Sequence, residues 1–222
     1  MIIFIKHVKE EGPGTLLDFV KNRHWPYQIV DLWRGDRLPH NLSLLRAVIV
    51  MGGPMNVYEE DRHPFLKAEN DFIKKIIMRN IPYLGICLGA QLLAKAAGGR
   101  VRKGRQEELG WYQVDQSKAA RGDLVFRDLP KKFEVFQWHG DTFSIPPKGV
   151  LLVKGRPIKH QAFRVGKSAY GLQFHVEVDD KKLASWFARS SKKANYIRKY
   201  SQIKERYIKT AKHLYKNFFE QI

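Results

Sequence analysis

The 222-residue sequence has a single cysteine, Cys87, and therefore no internal disulfide. No apolar run approaches the roughly 20 residues needed to cross a bilayer. The opening MIIFIKHVKEE carries an apolar run too short for a signal peptide, and no cleavage site follows it. These absences make a cytoplasmic protein without membrane attachment the expectation. There is no phosphate-cradling G-x-x-x-x-G-K-[ST] string, and the histidines are scattered, so neither a metal nor another cofactor is expected. Repeats and low-complexity linkers are also missing, which favours one domain over residues 1–222.

Acidic residues are scarce too. Twenty-two Asp and Glu face 40 Lys and Arg, a net charge of +18. The imbalance peaks in residues 181–222, where twelve basic residues meet only Glu205 and Glu220, so that segment reads as a basic helical extension. A field of this sign attracts polyanions. A solvated lysine-rich helix face explains it more simply, and no nucleic-acid-binding module is recognisable, so nucleic acid is not the expected partner.

What is present is enough apolar material, 44% of residues, to bury a large core. IIFIKHV (2–8), YQIVDLW (27–33), RAVIVMGG (46–53) and PYLGIC (82–87) read as buried strands. Helices are predicted between them: one opening near GTLLDFVKN, and one over residues 63–80 whose face is Phe65, Ala68, Phe72 and Ile76, ending at Arg79 before Pro82. LGAQLLAKAAGG continues as a third, stopped by Gly98 and Gly99. Alternation at this spacing predicts an α/β fold: a mostly parallel, doubly wound sheet with helices on both faces. LGWYQVDQ, FEVFQWHGDTFSIP, GVLLVKG, HQAFRVG and SAYGLQFHVEV then read as short strands, an antiparallel extension of that sheet. After Asp179 the chain turns helical, and Ile203, Tyr207, Ala211, Leu214 and Phe218 form a stripe expected to dock on the body; a partner-binding helix is the alternative.

The lone cysteine falls between a predicted strand and the helix after it, in Gly85-Ile86-Cys87-Leu88-Gly89. Strand-to-helix corners at the carboxyl end of a parallel sheet are where such folds bind ligands. Glycines two before and two after allow the tight turn of a nucleophile elbow. A lone cysteine can equally be a small buried hydrophobe. A nucleophilic thiol needs a base and a group to orient it, and YGLQFHVEV offers His175 and Glu177, two apart on a predicted strand and so on one face. The alternative is a polar face on an edge strand. Gly52-Gly53-Pro54 closes the third strand, and the amides of Gly53 and Leu88 could stabilise an oxyanion; a plain turn is the other reading.

Gly-Gly-Pro, GICLGAQLLA and QFHVE, in that order, resemble the class I (triad) glutamine amidotransferases over about residues 2–190. GGPMNVYEED, EELGW and FQWHGDTF are most similar to the stand-alone branch related to the glutaminase domain of GMP synthase. One departure is Val176, where the family usually has proline; its side chain should point away from the pair, at the cost of backbone rigidity. The resemblance implies a Cys87–His175–Glu177 triad and a γ-glutamyl thioester. It implies that glutamine is hydrolysed to glutamate and ammonia, with Gly53 and Leu88 holding the oxyanion. It also implies that Gln91, Trp138 and His139 contact the substrate's amino-acid end. Three readings remain: a glutaminase passing ammonia to a separate synthase subunit, a hydrolase of γ-glutamyl peptides, and a non-catalytic protein binding through its basic surface.

Overall fold

The computed structural model describes all 222 residues. Nine strands form one sheet: β1 (Ile2–Lys6), β2 (Tyr27–Asp31), β3 (Ala47–Val50), β4 (Tyr83–Ile86), β5 (Val101–Gln116), β6 (Lys132–Phe143), β7 (Gly149–Lys154), β8 (His160–Val165) and β9 (Ala169–Leu172). Their order is β2-β1-β3-β4-β9-β8-β7-β5-β6. Neighbours from β2 to β9 pair in parallel, and those from β9 to β6 pair antiparallel. The parallel core and antiparallel extension expected from the sequence are both present.

Five helices complete the fold: α1 (Gly14–Lys21), α2 (Phe65–Met78), α3 (Leu88–Ala96), α4 (Asp180–Trp186) and α5 (Lys193–Phe219). Strand side chains alternate between two cores, as a sheet buried on both faces requires. Ile2 and Phe4 of β1 and Ile49 of β3 join Leu16 of α1 and Leu214 of α5. Ile3 and Ile5 of β1 and Val48 of β3 join Ile73 of α2 and Leu92 of α3 on the other side. The stripe on α5 is buried throughout, so this helix docks on the body while Lys204, Lys209 and Lys212 face solvent. No helix is long and apolar enough to cross a membrane.

Three details differ from the sequence expectations. The buried face of α2 is Leu66, Glu69, Phe72, Ile73 and Ile76, whereas Ala68 is exposed. The stripe is rotated because Glu69, a carboxylate, points inward. Strand β5 begins at Val101, and its first half was not expected, since RKGRQEE lies mostly exposed and shows no apolar alternation. Finally, β9 ends at Leu172, so His175 and Glu177 do not lie on a regular strand.

Candidate active site

The loops that follow β1 and β3 line one cavity with Cys87, at the end of β4. Ile86 ends β4 and Leu88 begins α3, leaving one residue to make the corner. Cys87 accordingly has φ 53°, ψ −105°, a left-handed conformation costly for a residue with a Cβ. The corner closes because Gly85 and Gly89 lack side chains: a Cβ on Gly85 would overlap the carbonyl of Gly89, and one on Gly89 the carbonyl of Val50. The thiol is only 7% exposed, yet it lines a cavity of about 430 Å³ shared with Gly53, Glu11, Gln91, Trp138 and Asp141. Its Sγ lies 3.5 Å from the carbonyl oxygen of Trp138.

The imidazole of His175 reaches this thiol from the segment beyond β9. Its Nδ1–H donates to Glu177 Oε1 at 2.8 Å, and the other carboxylate oxygen accepts from the Val176 amide at 3.0 Å. An i, i+2 pair on a flat strand would share a face without touching. Here the strand has ended and the chain bends, which brings the pair into contact. An isolated bridge, with Phe136 and His175 exchanging backbone hydrogen bonds, anchors the segment on one side.

Helix α5 anchors it on the other. The Tyr207 hydroxyl donates to the carbonyl of His175, and the Tyr215 hydroxyl donates to that of Val176 at 2.8 Å. Val176 itself turns into the core, away from the pair. Two tyrosine bonds thus hold the backbone where proline would have stiffened it. The basic extension carries these tyrosines on its buried face, a role that composition and charge gave no hint of.

Burial alone would lower the pKa of His175. The Glu177 charge, its hydrogen bond to the ring and the neighbouring Cys87 sulfur outweigh it, so the ring's pKa is raised well above the usual 6.5. Burial pushes Glu177 up, but the His175 charge and hydrogen bond and the Lys182 ammonium bring it below 4.5. The raised histidine stabilises the fold fully below pH 6.5 and loses that contribution as pH climbs through its new value. The lowered carboxylate contributes fully above pH 4.5 and loses it as pH falls through its own. Denaturant midpoints of the parent and Glu177→Gln should therefore differ most between pH 4.5 and 6.5, the ordinary values of the two groups, and approach one another on either side.

The backbone N–H groups of Gly53 and Leu88 have no hydrogen-bond acceptor within the protein. The two residues are neighbours, since a Cβ on Gly53 would press on the Leu88 side chain.

The family profile described as glutamine amidotransferase class-I matches residues 22–191. The chain belongs to this family. A glutamine amidotransferase-like protein of Salmonella typhimurium, YfeJ, is 25% identical over 177 residues, covering 78% of this chain and 74% of the relative. The glutamine-hydrolysing GMP synthase of Thermosipho melanesiensis is 37% identical over 134 residues, 60% of this chain, and this chain spans 24% of that enzyme. Among solved structures, a glutamine amidotransferase from Thermotoga maritima superposes with a TM-score of 0.91 at 32% identity, covering 99% of this chain and 97% of the other. One from Methylobacillus flagellatus gives 0.90 at 27% identity, covering 100% and 94%.

In this class-I amidotransferase the three residues expected at the substrate's amino-acid end behave differently. Gln91 lines the cavity, its amide donating to Gln173 Oε1 at 3.2 Å and to the Asp141 carbonyl at 3.5 Å. Trp138 presents its carbonyl to the thiol. His139 also lines the cavity, but both ring nitrogens are engaged: Nδ1 with the Asp141 carbonyl at 2.7 Å and Nε2 with Glu108 Oε2 at 2.9 Å. Its ring is braced by a buried carboxylate and has no nitrogen left for a ligand.

Glu11, which sequence reading passed over, belongs to the same cavity. Its carboxylate lies where a Cβ on Gly52 would stand, with the His175 ring next to it. Burial and the neighbouring Glu177 raise its pKa against the pull of His175, Lys182 and His7. Glu11 lies in an exposed-looking KEEGPG string, and nothing local marked it.

Proposed function

We propose that this enzyme hydrolyses the side-chain amide of glutamine through Cys87. The observation that carries the reading is the strained Cys87 corner opening into a cavity beside a buried His175–Glu177 pair. The sulfur adds to the carbonyl carbon of the side-chain amide, and the thiol proton passes to His175. The amides of Gly53 and Leu88 receive the oxyanion, as their free donors permit. His175 then protonates the nitrogen, the C–N bond breaks and ammonia departs, leaving a γ-glutamyl thioester. Water, deprotonated by His175, adds to the thioester; glutamate leaves and the thiol re-forms. Glu177 orients the ring and stabilises its charged form without reacting. Gln91 and the Trp138–His139 backbone, which line the same cavity, receive the amino-acid end of the substrate in this reading. The ammonia passes to a separate synthase, the role that the similarity to glutamine-hydrolysing GMP synthases suggests.

A second reading follows from the cavity's size. Glutamine has ten heavy atoms, and even at the roughly 30 Å³ share of a whole water molecule for each it needs no more than about 300 Å³. The 430 Å³ present leaves space for a leaving group larger than ammonia, which favours γ-glutamyl peptides as additional substrates. Ammonia release from glutamine and amino-acid release from γ-glutamyl dipeptides, measured side by side, test both. Glutamine turnover equal to or above dipeptide turnover is expected. A kcat/KM for dipeptides about 100-fold higher, a difference of nearly 3 kcal/mol in transition-state stabilisation, would replace the first reading with the second.

A further inference from the structure

We propose that His7 and Glu69 form a buried clamp that sets the direction of the Gly53 N–H, making both positioning residues for the oxyanion site. The inference rests on the oxyanion role given to Gly53 above.

The clamp starts at the end of β1, where the His7 ring is fully enclosed. Its Nδ1 lies 2.9 Å from the carbonyl oxygen of Gly52. A carbonyl can only accept, so Nδ1 carries a proton. Its Nε2 lies 3.1 and 3.0 Å from the two oxygens of Glu69, and both side chains are inaccessible to solvent. Oxygens facing both nitrogens favour the doubly protonated form of the ring. Burial opposes that charge, but the Glu69 charge and hydrogen bond, the Gly52 carbonyl and the Glu11 charge raise the ring's pKa. The ring also stacks on Phe65, with centroids 6.0 Å apart, which limits its tilt.

The consequence for Gly53 follows from peptide geometry. The Gly52–Gly53 bond is trans, so the Gly53 N–H points opposite to the Gly52 carbonyl across a rigid plane. Fixing the carbonyl on the His7 side fixes the amide on the other. Glycine on both sides of this bond gives the peptide unusual freedom to rotate as a plane, and no other protein donor reaches the Gly52 oxygen. A buried ion pair is roughly neutral for stability against an apolar pair of similar volume. Stability therefore gives no reason to keep a charged pair here; directing a donor does. Glu69 stands in the middle of the apolar face of α2, at the position that rotated the stripe.

The test compares the parent with two double variants. Glutamate γ-semialdehyde adds to a thiol by an S–C bond, the thiol proton passing to the former carbonyl oxygen, and that oxygen needs the same donors as the reaction. Iodoacetamide alkylates the same sulfur by displacing iodide from a methylene and needs no oxyanion donor. In His7→Leu/Glu69→Met, kcat and aldehyde affinity should fall together by about 100- to 1000-fold, as on loss of one oxyanion donor. KM for glutamine and the rate of Cys87 alkylation should stay within about threefold, since uniform binding and thiol access are untouched. In His7→Asn/Glu69→Gln, the Asn amide takes the place of Nδ1 and should bring kcat and aldehyde affinity back to within about tenfold of the parent.

Near-parental kcat and aldehyde affinity in the Leu/Met variant would overturn the clamp. So would an alkylation rate that falls along with them, because the whole site would then have collapsed. If the Leu/Met variant does not fold, the Asn/Gln variant decides alone: near-parental kcat supports the clamp, and a loss of about 100-fold overturns it. A parent that the aldehyde fails to inhibit would instead sink the oxyanion reading itself, and the clamp with it.

Discussion

Cys87→Ala should lower glutamine hydrolysis by about four to six orders of magnitude, to the level that binding and oxyanion donors alone sustain. The substitution leaves the Cβ, and with it the backbone corner, unchanged. It removes one sulfur from a wall of the cavity, where the vacated space opens into the cavity itself and leaves no sealed void. The protein should therefore fold, bind glutamine and fail at the chemical step. Ammonia release by coupled assay, with circular dichroism as the check on folding, separates this from general damage. The contrary result is residual turnover above about one per cent of the parent, far more than donors alone can supply.

His175 and Glu177 carry the second large effect, and the two positions should differ in a telling way. His175→Ala removes both the acceptor of the thiol proton and the donor to the departing nitrogen, so its loss should equal that of Cys87→Ala. Glu177→Gln removes less, by about 10,000-fold. The carboxylate accepts at both oxygens, from His175 Nδ1 and from the Val176 amide. A glutamine side chain has only one acceptor oxygen. Satisfying the buried Val176 amide leaves its NH2 against Nδ1, which forces the proton to the other ring nitrogen and blocks its role as base. The Cys87→Ala/His175→Ala double variant should be no slower than either single one, because each alone already disables the pair. Multiplicative losses in kcat would show that the two act independently.

Much of this site was legible because it depends on local rules. The Gly85-x-Cys87-x-Gly89 string is demanded by a corner of one residue, and the structure makes both glycines necessary by direct overlap. Gly-Gly-Pro at the end of β3 and the parallel order of β1, β3 and β4 are equally local. The stripe on α5 was readable at helical spacing. What was not legible depends on contacts between distant segments. The bend that brings His175 onto Glu177 arises because β9 stops at Leu172 and Tyr207 and Tyr215 seize the backbone. Spacing alone predicts a straight strand there. Glu69 did leave a trace, since an acid between Leu66 and Ile73 on an apolar helix face must have a buried partner. Its partner, His7, was hidden in a strand that reads as plainly apolar. The first half of β5 escaped because charged, solvated strands have no alternation to find.

Every role given to the site requires that Cys87 become acylated by its substrate. The most direct measurement is intact mass after rapid acid quenching of the enzyme during turnover of glutamine, followed by peptide mapping. One adduct, equal in mass to glutamine less ammonia, is expected on Cys87 of the parent and none on Cys87→Ala. An adduct on another residue, or ammonia released by Cys87→Ala at the parental rate, would contradict that requirement.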